Sequence, residues 1–314
     1  MSNQHLTAAL KRTTDSIGPV VEAIRQLVLE GSGICLIPSG HYAQLPVAAL
    51  ILDDVPGRYA FVTTVPSRTI CANTRDIIYI NHSLTATVLS VENSPTDPRL
   101  TYPDAEISHV GSSLHSANVA VSTIMDAQAR DFLTAISSSS IVHFSGHSAV
   151  ELSDPRKSSL SLSDRKVEAA EILQYVTSPA AILCSFSACS SAQPSTLVLP
   201  DEFISVQSVA LYIGFRFSVG ALWPVFDVAA YAFMAHFYRS VADSGQLSIY
   251  SLSSALFAAQ RWMKLATKED IGIFLSENSV KWNEPISWAN LPASARPFAA
   301  PRNWAAFYLC SRVF

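Results

Sequence analysis

The sequence predicts an α/β domain built on a mostly parallel central sheet. Three observations carry that reading. Short apolar runs rich in Val, Ile and Phe alternate with longer segments of helical period along the 314 residues. Two of the runs, IVHFSGHS at 141–148 and SPAAILCSFSACSSA at 178–192, share one arrangement: polar lead, apolar strand, small residues, abrupt stop. Hydrophobic residues make up 49% of the chain and charged ones 15%, which describes a well-buried globule and excludes a disordered chain.

Taken in order, residues 17–30 (IGPVVEAIRQLVLE) place Val20, Val21, Ile24, Leu27 and Val28 on one face of a helix that Gly31, Ser32 and Gly33 end. ICLIP at 34–38 reads as a buried strand, and YAFVTT and IIYIN as the clearest of the short strands that follow. The stretch NSPTDPRLTYPD at 93–104 concentrates Pro, Asp and Ser and reads as a surface connection. From Asn118 to Ala135 the period is helical, with Val119, Ile124, Ala127, Phe132 and Ala135 inward. Four serines, Ser137–Ser140, lead into the strand that stops at Gly146. A helix from Glu202 to Tyr212 precedes the strand FRFSVGALW, and helices from Asp227 to Val241 and from Leu252 to Ala266 follow. A boundary near residue 130 divides the chain into an N-terminal lobe, 1–130, and a C-terminal lobe, 131–314.

Composition excludes several function classes. A formal charge of −4 offers no basic face for nucleic acid, and no basic residues interleave with Trp223, Trp262, Trp282, Trp288 and Trp304, which read as core and interface anchors. The most apolar stretch, Val209 to Phe237, is broken by Arg216, Pro224 and Asp227, so no membrane-spanning helix is expected. The N-terminus lacks the apolar core of a secretory signal. Cys35, Cys71, Cys184, Cys189 and Cys310 are odd in number and widely spaced, as suits free thiols in a reducing compartment. The expectation is a soluble, cytoplasmic protein without partners among membranes or nucleic acids.

In a parallel sheet, functional groups gather at the carboxyl ends of the strands. His147 lies just past one predicted strand and Cys189 just past the next. Adjacent strand ends would join an imidazole to a thiol, the pair that nucleophilic catalysis requires. Gly146, Ser187 and Ala188 keep the neighbourhood small enough for a substrate backbone to approach. Each residue also has a plainer reading, since a cysteine after a strand is often packing and a histidine there a satisfied polar group. His143 and His147 stand four apart like zinc ligands, but the glutamate of HExxH and any third ligand are missing, so no metal is expected. GxSxG, P-loop and GxGxxG motifs are absent, which leaves no cofactor implied. Cys184, inside its strand, reads as core.

The runs IVHFSGHS, LCSFSACSS, LPDEFIS, GFRFSVGALWPVFD and NWAAFYL, in that order, resemble the CHAT domain, a caspase- and separase-related peptidase domain. ICLIPSGHYAQLPVAAL and YINHSLTATVL are similar to earlier parts of the same family, so the resemblance covers about residues 34 to 309. It implies a caspase-like αβα sandwich whose N-terminal lobe is a degraded copy of the C-terminal catalytic one. It implies that His147 is the catalytic histidine and Cys189 the nucleophile, forty-two residues apart where caspases have about fifty. Backbone N–H groups of Cys189 and Ser148 would meet the oxyanion. Ser148 stands where the family usually has glycine; if that backbone needs a positive φ, serine costs about 1 kcal/mol. Asp227 aligns with an acid that receives a basic P1 side chain, and its structural alternative is the N-cap of a helix beginning at Val228. Glu202 reads as a first-turn helix residue. The implied function is a cysteine endopeptidase acting on a protein substrate, with an inactive scaffold as the alternative. A helical-repeat regulator would be a separate protein or part of a longer chain. Loops Ser148–Lys157 and Gln193–Leu199 are expected to contact substrate.

Overall fold

The computed structural model describes residues 18–24, 26–38, 40–54, 58–65, 77–177, 180–193 and 205–312. Helical residues 18–24 and 26–27 (α1) lead to β1 (Gly33–Leu36), α2 (Val47–Asp54) and β2 (Phe61–Thr64). Next come β3 (Ile78–Tyr79), β4 (Thr85–Ser90), α3 (Pro103–Ser116), β5 (Ala120–Ile124) and α4 (Ala129–Ser138). The central strands β6 (Ile141–Ala149) and β9 (Leu183–Ala188) flank a small excursion of β7 (Ser159–Ser161), β8 (Lys166–Glu168) and α5 (Ala169–Ile172). The chain continues through α6 (Val206–Ile213), β10 (Phe217–Ala221), α7 (Asp227–Ser244), β11 (Gln246–Leu247), α8 (Ile249–Leu265), α9 (Lys268–Glu277) and α10 (Pro301–Trp304). It closes with β12 (Phe307–Ser311).

The sheet runs in the order β1-β2-β12-β10-β9-β6-β4-β5. β10, β9, β6, β4 and β5 are mutually parallel, as are β1, β2 and β12, and the two blocks meet antiparallel where β12 pairs with β10. Strands inside a parallel block are covered on both faces, which is why IVHF and LCSF read as apolar without a clean alternation. Ile141, Leu183 and Val219 pack with α3, α7, α8 and α9 on one face. Val142, Phe144, Cys184 and Phe186 pack with α4, α5 and α6 on the other. The result is an α/β sandwich with helices on both sides. The sheet draws β4 and β5 from before residue 130 and seats them beside β6, while β12 returns from the C-terminus to lie next to β2. Helix starts follow local chemistry: Ser248 caps α8 by accepting from Ser251 N, and Thr267 caps α9 by accepting from Asp270 N.

Several expectations are corrected. The helical period expected from Asn118 to Ala135 is two elements, β5 and then α4, because Asn118 adopts φ 65° and redirects the chain into the edge strand. The surface connection at 93–104 ends sooner than expected. Pro103 occupies the first turn of α3, a helix outside the expectation altogether. In the first helix Val21 is buried, but Val20 and Leu27 are exposed, since that helix lies at the periphery with only a narrow contact stripe. Cys71 and Glu202 lie outside the described residues, as do positions 194–199 of the expected substrate loop. No described helix is long and apolar enough to cross a membrane.

Candidate active site

β6 and β9 pair in parallel, with His143 opposite Ser185, Ser145 opposite Ser187 and Gly146 opposite Ala188. Side chains alternate along a strand, so His143, Ser145 and His147 share with Ser185 and Ser187 the face covered by α3 and α7. After Gly146 the two strands part. β6 runs on to Ala149 by pairing with β7, so His147 lies within the strand and not just past it; β9 stops at Ala188 and Cys189 opens a turn. That divergence leaves a cavity of about 40 Å³, room for a water molecule or so, lined by His147, Cys189, Asp227, Ser187, Leu100 and Val225 among others. The structure therefore brings His147, Cys189 and Asp227 together. Ser148 joins them through its hydroxyl, which donates to the Cys189 carbonyl.

The condition under which Ser148 would be costly is not met, since Ser148 is extended strand backbone opposite Leu160 of β7. The left-handed residue is Ser190, φ 59°, immediately after the cysteine. Gly146 lines the cavity, and a Cβ there would also meet the Phe144 ring at 2.8 Å, so its smallness serves packing of that ring as well. His147 Nε2 lies 2.7 Å from the Pro98 carbonyl. A carbonyl can only accept, so Nε2 carries the proton and Nδ1 is the nitrogen left to act as a base.

Asp227 is not the N-cap of its helix. Phe226 holds that position and Asp227 is the first residue of α7. Its Oδ2 instead accepts from the amides of Thr101 at 2.6 Å and Tyr102 at 3.2 Å, just before α3. Burial raises the Asp227 carboxyl to about 6. The Glu106 charge adds to the rise, while the two amides and His147 oppose it. Burial likewise pushes the Cys189 thiol above its ordinary value, with the Val225 N–H opposing and the Asp227 charge reinforcing. Near neutral pH Cys189 is a thiol, and its proton must leave before it can attack.

Cys184 is fully buried, where burial raises its thiol far above the usual range. Both ring nitrogens of His143 are engaged, Nε2 with Glu106 Oε1 and Nδ1 with Ser185 Oγ, each at 2.8 Å. Glu106 Oε2 accepts from Ser187 Oγ at 3.0 Å. Pro98, Glu106 and Leu100 were outside the sequence expectation. Pro103 followed by acids at 104 and 106 ahead of Ile107, Val110 and Leu114 is a helix-start signal that could have placed Glu106. Nothing local signals the Pro98 contact.

A model of the CHAT domain family matches residues 7–312. A search of curated protein sequences returns no match. Among solved structures, Saccharomyces cerevisiae separase in complex with securin is similar over 88% of this chain at 13% identity and TM-score 0.52. The chain spans 15% of the length of that separase chain. The Arg-specific cysteine proteinase gingipain R is similar over 83% of this chain and 63% of its own, at 11% identity and TM-score 0.48. Caspase-1 from Spodoptera frugiperda is similar over 77% of this chain and 91% of its own, at 9% identity and TM-score 0.41. At these identities the separase likeness speaks to the fold alone. With the family match spanning nearly the whole sequence, the chain belongs to the CHAT domain family, and its fold is similar to that of separase.

Proposed function

We propose that this chain is a cysteine endopeptidase in which Cys189 is the nucleophile and His147 its general base. The observation that carries the proposal is the meeting of these two side chains in one cavity where β6 and β9 part. The Cys189 thiol, held protonated by burial, gives its proton to His147 Nδ1 as Sγ attacks the scissile carbonyl. The Pro98 carbonyl keeps the ring in the required tautomer and stabilises the imidazolium that forms. Backbone N–H groups of Cys189 and Ser148 receive the developing oxyanion, with Ser190's left-handed backbone setting the turn that aims the first of them. The imidazolium then protonates the leaving amine, and water hydrolyses the thioester.

Asp227 is the acid that receives a basic P1 side chain. Both amides use Oδ2, which leaves Oδ1 to meet an incoming Arg or Lys. The substrate is a protein chain. Because the cavity is smaller than any such side chain, its walls move apart on binding, and a helical-repeat regulator, in a separate protein or in a longer chain, controls that opening.

The test is labelling by acyloxymethyl-ketone peptides that differ at P1, with Cys189→Ala and His147→Ala alongside. Labelling at Cys189 that is lost in both variants and fastest with Arg or Lys at P1 is the expected result. Labelling of Cys189 no faster than that of Cys35, and indifferent to His147→Ala, would replace the peptidase with a scaffold that acts through protein contacts.

A further inference from the structure

Beneath the site lies a set of polar side chains for which the proposed chemistry has no use. Glu106 is 1% exposed and His143 0%. Burying a carboxyl and an imidazole is costly, and apolar residues of similar volume usually serve stability as well or better. Stability alone therefore does not account for the pair. What the pair has is reach. Glu106, in the first turn of α3, touches β6 through His143 and β9 through Ser187. From His143 the chain of contacts continues through Ser185 Oγ to the Tyr238 hydroxyl of α7, at 2.8 and 2.5 Å.

The residues just before Glu106 carry the remaining contacts with the site. Pro98 offers its carbonyl to His147, and the Thr101 and Tyr102 amides bind Asp227. Between 98 and 106 the chain thus touches His147, Asp227 and the strand end that precedes Cys189, each through a different atom.

We propose that Glu106 is the positioning residue of this site. By gripping His143 and Ser187 at once, it pins the 98–106 segment to the body of β6 and to the end of β9. It thereby sets where the Pro98 carbonyl meets His147 and where Cys189 leaves its strand. The proposal rests on His147 and Cys189 being the reacting pair, and Glu106 itself touches no substrate. A fully satisfied buried network specifies one arrangement, and removing one member leaves its partners without bonds in a dry interior.

The experiment follows alkylation by iodoacetamide, cysteine by cysteine, by mass spectrometry in the whole chain. It compares wild type, Glu106→Gln, Ser187→Ala and His147→Ala, with peptide cleavage measured in parallel. Buried Cys184 and Cys310 report loss of the fold, and partly exposed Cys35 is the internal standard. In Glu106→Gln and Ser187→Ala, the Cys189 rate relative to Cys35 should change about fivefold, the scale of one lost hydrogen bond, while Cys184 and Cys310 stay protected. Cleavage should lose about tenfold in kcat with KM little changed, as expected when geometry and not binding is lost. An unchanged relative rate at Cys189 in folded Ser187→Ala overturns the proposal, and so does loss of protection at Cys184 and Cys310 in both variants. His147→Ala separates this from the peptidase reading. A Cys189 rate that ignores His147 but responds to Glu106 and Ser187 defeats the peptidase and keeps the brace; the reverse pattern does the opposite.

Discussion

Asp227 shows how one side chain can serve structure and chemistry with different oxygens. Its carboxylate sits at the start of α7 but caps backbone belonging to another helix, through the amides of Thr101 and Tyr102. The carboxyl titrates near 6 in the folded chain and near its ordinary value when unfolded. The native state holds the proton more tightly, so this group favours folding most at low pH, and that contribution is lost as pH rises from about 4 through 6. At about 1.4 kcal/mol per pH unit, the loss is at most about 3 kcal/mol. Asp227→Asn keeps an acceptor and cannot ionise. Thermal unfolding should therefore show the variant gaining on wild type by about 1–3 kcal/mol between pH 4.5 and 7.5. A constant difference across that range would mean that Asp227 is ionised throughout. The same residue marks a limit of sequence reading. The alternative of a cap on its own helix was sound for an aspartate before an apolar run, and a contact 126 residues away decided otherwise.

At the scale of the elements, the turn that follows Cys189 depends on how closely backbone can approach. Gly220 of β10 lies under the turn that follows Cys189. A Cβ there would meet Ser191 Oγ at 2.9 Å and the Cβ atoms of Ala192 and Gln207 at 3.2 Å. Ser191 Oγ also accepts from Ala221 N, fixing the turn to the strand. Gly220→Ala should destabilise the fold by about 1–3 kcal/mol through overpacking and should slow any Cys189 chemistry more than it lowers Tm. Equal activity per folded molecule would show that the turn tolerates the displacement. The central strands were legible because their apolar runs are long and uniform. α3 was not, because serines and a histidine dilute Ile107, Val110 and Leu114, and the proline-rich lead-in reads as loop. β5 was absorbed into a helical period because its alternation is faint: as an edge strand it is covered on neither side strongly enough to demand apolar residues.

Across the whole molecule, one sheet unites parts of the chain that the sequence divides near residue 130. β4 and β5 pair with β6, and β12 inserts between β2 and β10. Buried amides reinforce that last seam, with Gln207 donating to the Ser218 and Tyr308 carbonyls and Gln260 to that of Phe307. A continuous sheet with shared cores predicts one cooperative unfolding transition, with calorimetric and van't Hoff enthalpies equal. Two resolved transitions would support lobes at 1–130 and 131–314 that fold apart.

The sequence by itself determined the α/β class, the apolar strand that leads into His147, the strand that ends just before Cys189 and the family resemblance. Each of these is written in contiguous residues, as a period or as an ordered set of short motifs. Only the tertiary structure decided that Glu106 is buried against His143 and Ser187, that Pro98 faces His147, and that Asp227 holds Thr101 and Tyr102. The reason is physical: burial and hydrogen-bond partners of a polar side chain are set by segments that meet only after the sheet has formed, and no local pattern encodes them.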